Sequence, residues 1–247
     1  MQLGFSGLLS NFLDVSARVS HEVKCSRGDE VALLHDIDAF WKDDVLAGAF
    51  ATSSIATLLF VQSTYHWMAG VTLAMSGNAV PAYPVLRAGL EAACYGYLLH
   101  DDEELRILWL QRDSDAGKTR AFRKQFGHAI DTTTKRLKQT NTPLASLIGE
   151  MYEASITFGA HPNPRSMIDH LGEFQDVGDS VVVELVAVNS PDSHNTTRAL
   201  CAAAEHGLAC AWLAFESLGD KDRAAAIGPK LAGLYQRKDA LYPGAGT

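Results

Sequence analysis

Residues 78–99 read NAVPAYPVLRAGLEAACYGYLL, with Tyr83, Arg87, Glu91 and Tyr95 at every fourth position. That spacing stacks the four side chains along one slowly drifting face of a helix. Around them stand Val85, Leu86, Ala88, Leu90, Ala92, Ala93 and Leu98, the material of a core. An arginine and a glutamate in such surroundings are expected to pair, because an unpaired buried charge is very costly. Pro81 and Pro84 suit a first helical turn, so the regular helix is expected to begin near one of them.

The same period runs outward from this segment. Upstream, residues 45–86 contain no Asp, Glu, Lys or Arg. The length permits a membrane span, but Thr52, Ser53, Ser54, Gln62, Ser63, Thr64 and His66 interrupt the run and few basic residues flank it. The expectation is therefore a core or dimer-interface helix from Val45 to Ser76. Further upstream, Val31, Leu34, Ile37 and Trp41 place a helix over residues 29–42, and Leu8, Leu9, Phe12, Val15 and Val19 suit one face of a short helix.

Downstream, Glu103–Arg112 reads as a helix. Residues 118–138 read as one amphipathic helix with Phe122, Phe126, Ala129, Ile130, Thr133 and Leu137 inward. Its outer face carries Lys118, Arg120, Arg123, Lys124, Lys135, Arg136 and Lys138 against Asp131. Thr142-Pro143 offers a cap and first residue for the next helix. After His161–Pro164 the period changes: SVVVELVAV at 180–188 is rich in β-branched residues and follows Asp176-Val177-Gly178-Asp179, which predicts a β-hairpin at about 166–189. A long helix from Ser190-Pro191-Asp192 to Leu218 follows, then a weaker one broken at Gly228-Pro229, and a loose tail over about 242–247. The expected fold class is mainly α, a single multi-helix bundle domain over residues 1–247 with a small β-hairpin insertion.

The composition bounds function. Hydrophobic residues make up 47 % and charged residues 20 % of the 247 residues, an ordinary globular balance. A net charge of −8 argues against wholesale nucleic-acid binding. It leaves the basic stretch Lys118–Lys138 as the surface a nucleic acid would use. Cys25, Cys94, Cys201 and Cys210 form no C-x-x-C pair and read as reduced thiols in a cytoplasmic protein. The N-terminus lacks the basic region of a signal peptide.

No glycine-rich phosphate loop, G-x-S-x-G or H-E-x-x-H occurs, and no histidine follows a Glu by three residues. No cofactor is expected. His35-Asp36 in ALLHDID resembles the central motif of the HD phosphohydrolases, helical metal enzymes, with Asp38 where a glycine is usual. This resemblance implies a metal role for His35 and Asp36; the competing reading is a polar cluster on a helix surface. Arg123 and His128 match the Arg-x4–6-His spacing of the HEPN ribonucleases, a resemblance that implies metal-independent cleavage by those two residues. LRAGLE, followed about seventy residues later by ITFGAHPNP, resembles an uncharacterised bacterial all-helical family, loosely HEPN-like, with an "LxRxxxE" helix and a later "HPxP-like" turn. The matching positions are Arg87, Glu91, His161 and Pro162; the resemblance implies a helical fold and no particular activity.

Read from the residues, Arg87, Glu91, Tyr95, Glu153 and His161 form a candidate ligand site for a small anion or phosphate-containing molecule. The alternative is that Arg87 and Glu91 tie helices together. The functional expectation is a non-catalytic interaction or oligomeric protein, a homodimer through the uncharged helix. The alternative is a HEPN-like ribonuclease or an HD-like metal phosphohydrolase.

Overall fold

Two long helices pack along most of their length at the centre of the molecule, seen in a computed structural model: α3 (Ser54–Met75) and α4 (Ala79–Leu99). The structure describes residues 8–47, 54–160, 164–168, 170–177, 180–217 and 221–243. The turn between the two helices is tight. Gly77 adopts a positive φ of 76°, the left-handed conformation that glycine enters without a Cβ penalty. Asn189 closes over the turn, donating its backbone N–H to Gly77 O at 2.8 Å. Along the crossing, a Cβ on Gly96 would sit 2.9 Å from the Phe60 ring, and one on Gly89 would sit 3.2 Å from Ser63 O. Small residues thus set how closely α3 and α4 approach.

α10 (His194–Glu216) lies across this pair and is as deeply buried as α4, with 14 of its 23 residues buried. Two indoles fasten it: Trp41 Nε1 donates to Gly207 O at 3.0 Å and Trp67 Nε1 to Ala203 O at 2.8 Å. Around the trio stand α1 (Leu8–Ser26), α2 (Gly28–Ala39, continued by a wide π-helical stretch Phe40–Leu46), α5 (Glu103–Leu110), α6 (Ala116–Phe126), α7 (Ala129–Leu137) and α8 (Thr142–Ser155). A short α9 (Pro164–Ile168) and, after α10, α11 (Lys221–Leu241) complete the helices. The main core draws on α1–α4, α7, α8, α10 and α11, plus Tyr242 just past the last helix. A smaller cluster of Leu59, Leu99 and Phe126 sits under α5 and α6.

Several boundaries differ from the sequence expectation. The expected class is corrected: the layers of the fold are all helical, and the segment at about 166–189 inserts no sheet layer into the bundle. Pro164–Ile168, expected near the start of that hairpin, is helical, and the buried core comes from the helices. Antiparallel pairing is confined to a ribbon, β1 (Leu171–Val177) with β2 (Ser180–Leu185), that pairs with itself. Val186–Val188 lie outside it. β-branched residues favour extended backbone, but two strands alone make no sheet layer of the fold.

The basic stretch 118–138 is two helices, α6 and α7, parted at Gly127 and His128; the last helical bond of α6 runs from Gly127 N–H to Arg123 O at 2.9 Å. α11 runs unbroken through Gly228-Pro229, and burial of Ile227 and Leu231 offsets the bond that proline removes. Asn141, not Thr142, caps α8 by accepting from Leu144 N–H, and Ser193 caps α10 by accepting from Thr196 N–H. Residues 244–247 of the expected loose tail lie outside the described residues.

One contact missing from the sequence reading joins the start of α2 to α10. Arg27 donates to Pro191 O at 2.7 Å, to Thr197 Oγ1 at 2.8 Å and to Glu30 at 3.1 Å, with only 15 % of its side chain exposed.

Candidate functional site

The polar face of α4 opens onto a cavity of about 190 Å³ between α4, the α6–α7 junction and α8. Arg87 and Glu91 are one helical turn apart, and Arg87 Nε donates to Glu91 Oε1 at 2.8 Å. The guanidinium also donates through Nη2 to Tyr152 OH at 2.9 Å and lies 4.6 Å from the Tyr152 ring centroid. Arg87 is therefore matched by a carboxylate, a phenol oxygen and a ring face. The pair is less enclosed than the apolar neighbours suggest: the side chains are 21 % and 40 % exposed. Its other rim is Tyr95, whose hydroxyl is 3.4 Å from Phe126 O and whose ring meets the edge of Phe126. Burial, then the Glu91 charge, raises the Tyr95 phenol above its ordinary pKa. Tyr83, the first of the four-residue series, has drifted into the core and packs against Phe158.

The α6–α7 junction closes the cavity with Phe126, Gly127, His128, Ala129, Ile130 and Asp131. His128 is exposed and 3.8 Å from Asp131. Among the described residues, no side chain caps the first turn of α7. Arg123, the other half of the HEPN-like spacing, is exposed on α6 and does not line the cavity. Glu153 is likewise exposed on α8 and outside the lining; its neighbour Tyr152 reaches in. Tyr152 is the site residue that the sequence reading missed. The signal was its place four residues after the buried Ile148, on the inward side of α8. His161 and Pro162 lie outside the described residues.

His35 and Asp36 are exposed on α2, and Asp36 is paired with Arg237 of α11. Among the described residues, no three His, Cys, Asp or Glu side chains converge as a metal ion would require. His206 is sealed inside the bundle. Its Nδ1 lies 2.7 Å from Ala202 O, so that nitrogen carries the proton, and Nε2 faces Ser155 Oγ at 3.4 Å. Burial lowers its pKa to about 4, against a smaller raising effect of the Ala202 bond. Burial also pushes the Cys210 thiol up to about 12 and the Cys201 thiol to about 11, and raises Cys94 further; Cys25 alone of the four is exposed. These buried thiols are structural, since a raised pKa withholds the reactive thiolate.

A second surface follows from the uncharged run. One face of α3 is covered by α4 and α10; the other presents Leu58 at 67 %, Tyr65 at 64 % and Met68 at 39 % exposure. Gln62, Ala69 and Thr72 lie on the same exposed side. Among the described residues, no helix is long and apolar enough to cross a membrane.

The chain matches no protein-family model, no curated protein and no solved structure.

Proposed function

We propose that this chain is a non-catalytic helical protein that acts by association, and that its partner is a second copy of itself. The observation that carries this is the outer face of α3, where Leu58, Tyr65 and Met68 stand exposed in a strip without charge. Two copies that each carry a net charge of −8 repel one another. A two-fold contact brings the same patch of both copies together, so it is least opposed where that patch is uncharged. A helix of 22 residues gives such a contact a length of about 33 Å.

The decisive measurement is sedimentation equilibrium of the wild type and of Tyr65→Glu and Leu58→Glu. A dimer that either variant converts to monomer supports the proposal. A wild type that stays monomeric across the concentration range overturns it, as does a dimer indifferent to both changes.

A small anion at the Arg87 cavity is the second reading, favoured by the uncapped first turn of α7 at its rim, where backbone N–H groups attract negative charge. A rise in melting temperature with inorganic phosphate that is lost in Arg87→Ala supports it; an unchanged melt rejects it. Kinship with the helical family carrying the LxRxxxE helix belongs to the same proposal.

A further inference from the structure

A second groove in the bundle carries a carboxylate among aromatic rings. It lies between the end of α10, the start of α8 and the middle of α11, has a volume of about 310 Å³, and is lined by Trp212, Phe215, Glu216, Leu231 and Tyr235 among others. That volume stands at the lower end of small-molecule sites, which run from roughly 300 to 1,000 Å³.

Three aromatic side chains, each only partly buried, form its walls, and Trp212 and Tyr235 meet edge to face with centroids 5.8 Å apart. Among the described residues, Glu216 is the one charged side chain in the lining. Its Oε1 accepts from Asn141 Nδ2 at 2.6 Å and from Trp212 Nε1 at 3.1 Å, which fixes the carboxylate beside the rings. Those two donors are neutral, and among the described residues Glu216 takes part in no ion pair. Among the described residues, its second oxygen accepts no hydrogen bond. The carbonyl end of α10 adds a partial negative charge at the same place.

The Arg87 cavity is the useful contrast. There a carboxylate beside aromatic rings already has its cation, Arg87, and that cation lies on the Tyr152 ring. Among the described residues, the α10–α11 groove has the same components without the guanidinium. A carboxylate held among aromatic faces favours a cation whose charge is spread over alkyl groups, because such an ion loses little hydration on entry and gains from the ring quadrupoles.

We propose that the groove formed by Trp212, Phe215, Tyr235 and Glu216 binds an alkylammonium group. The group is supplied by a free amine or by a methylated lysine side chain, and the same chemistry recognises both. The ammonium sits against the open Glu216 oxygen with its alkyl surface on the three rings.

The test is calorimetric titration of the full chain with choline, with choline's uncharged tert-butyl isostere, and with an acetylated, amidated trimethyllysine. Trp212 fluorescence gives a second readout. Choline is expected to bind saturably, and the isostere at least about tenfold more weakly. Glu216→Gln keeps an acceptor for Asn141 and Trp212 but removes the charge. It is expected to weaken choline at least about tenfold while melting like the wild type. Tighter binding of the trimethyllysine unit than of choline assigns the groove to a protein side chain; the reverse order assigns it to a small molecule. Equal binding of choline and the isostere overturns the proposal, as does equal binding to the wild type and a folded Glu216→Gln, or the absence of saturable binding by every ammonium probe. None of these outcomes depends on whether α3 mediates a dimer.

Discussion

At the scale of single residues, two arginines with similar partners differ in what they hold. Arg27 is almost enclosed and joins nearby Glu30 to Pro191 and Thr197 at the start of α10, whereas Arg87 is more open and bonds along its own helix and to Tyr152. Removing Arg27 strands the Glu30 charge, with 18 % of its side chain exposed, and leaves Pro191 O and Thr197 without their donor. Arg27→Ala is therefore expected to cost about 3 kcal/mol. Solvent reaches the Arg87–Glu91 pair, so Arg87→Ala is expected to cost about 1–2 kcal/mol. Urea unfolding of the two variants checks the order, and a larger loss at Arg87 rejects it. The Arg87–Glu91 pairing was legible because residues four apart on a helix touch. The Arg27 contacts were not, because Pro191 and Thr197 are distant in sequence and no local period joins them. His206 gives a residue-scale prediction of a different kind. It is neutral in the fold because burial has lowered its pKa from 6.5 to about 4. Above pH 6.5 neither state is protonated there and the residue costs nothing. Between pH 6.5 and 4 the unfolded chain takes up a proton that the native state refuses, so stability falls with pH, by roughly 3 kcal/mol in all. Carboxylates titrate over the same range, so the informative quantity is the difference from His206→Gln. The wild type is expected to lose more stability than the variant on going from pH 7 to pH 4. Parallel pH profiles reject this account.

At the scale of elements, close approach decides where a side chain is tolerated. Gly207 on α10 faces the two anchoring elements: a Cβ there would lie 2.6 Å from Trp67 Nε1 and 2.8 Å from Ile37 Cγ2. Gly149 on α8 is also helical, but a Cβ there meets nothing within 4 Å. Helix propensity alone favours alanine at both positions by about 1 kcal/mol. Overpacking reverses the sign at Gly207, where Gly207→Ala is expected to destabilise by about 1–3 kcal/mol. Gly149→Ala is expected to stabilise by about 0.5–1 kcal/mol. Thermal melts of the pair separate packing from propensity, and shifts of the same sign reject the argument. The elements themselves were legible where an apolar stripe repeats over several turns, as in α4 and α10. Boundaries were legible only where local chemistry settles them. Thr142 and Asn141 are both good caps, and which of them closed on Leu144 N–H depended on backbone geometry that composition does not carry. Pro84 marks another such place. It has no N–H to offer Val80 O, and Gly159 packs against that carbonyl so closely that a Cβ would lie 2.3 Å away. The bend after α8 follows from that long-range approach, since a φ of 178° at Gly159 is open to any residue. The run SVVVELVAV is extended over Ser180–Leu185, but β-branched residues favour extended backbone without showing whether a layer of the fold is built on it.

At the scale of the whole molecule, charge and apolar surface are separated. The basic residues of α6 and α7 form an exposed patch, the remaining surface makes the total −8, and the outer face of α3 has no charge. What the chain does was the least legible level, because function here rests on which side chains from distant segments meet. Tyr152 reached Arg87, and Asn141 reached Glu216, through tertiary contacts that no spacing in the sequence announces. The separation of charge still gives a test of assembly that needs no substitution. If two copies meet through α3, the contact itself has no ion pair to screen, and the long-range term between them is net repulsion. Raising ionic strength from about 0.01 M to about 0.15 M shortens the screening length from about 30 Å to about 8 Å. The dimer should then tighten, since repulsion between net charges of −8 is screened while apolar burial is not. If the basic patch of one copy instead met acidic surface on the other, the attraction would be the screened quantity and the dimer would loosen. Sedimentation equilibrium at the two salt concentrations reads the sign directly. A dissociation constant that falls with salt places the contact on uncharged surface, and one that rises moves it off α3 and onto the α6–α7 face.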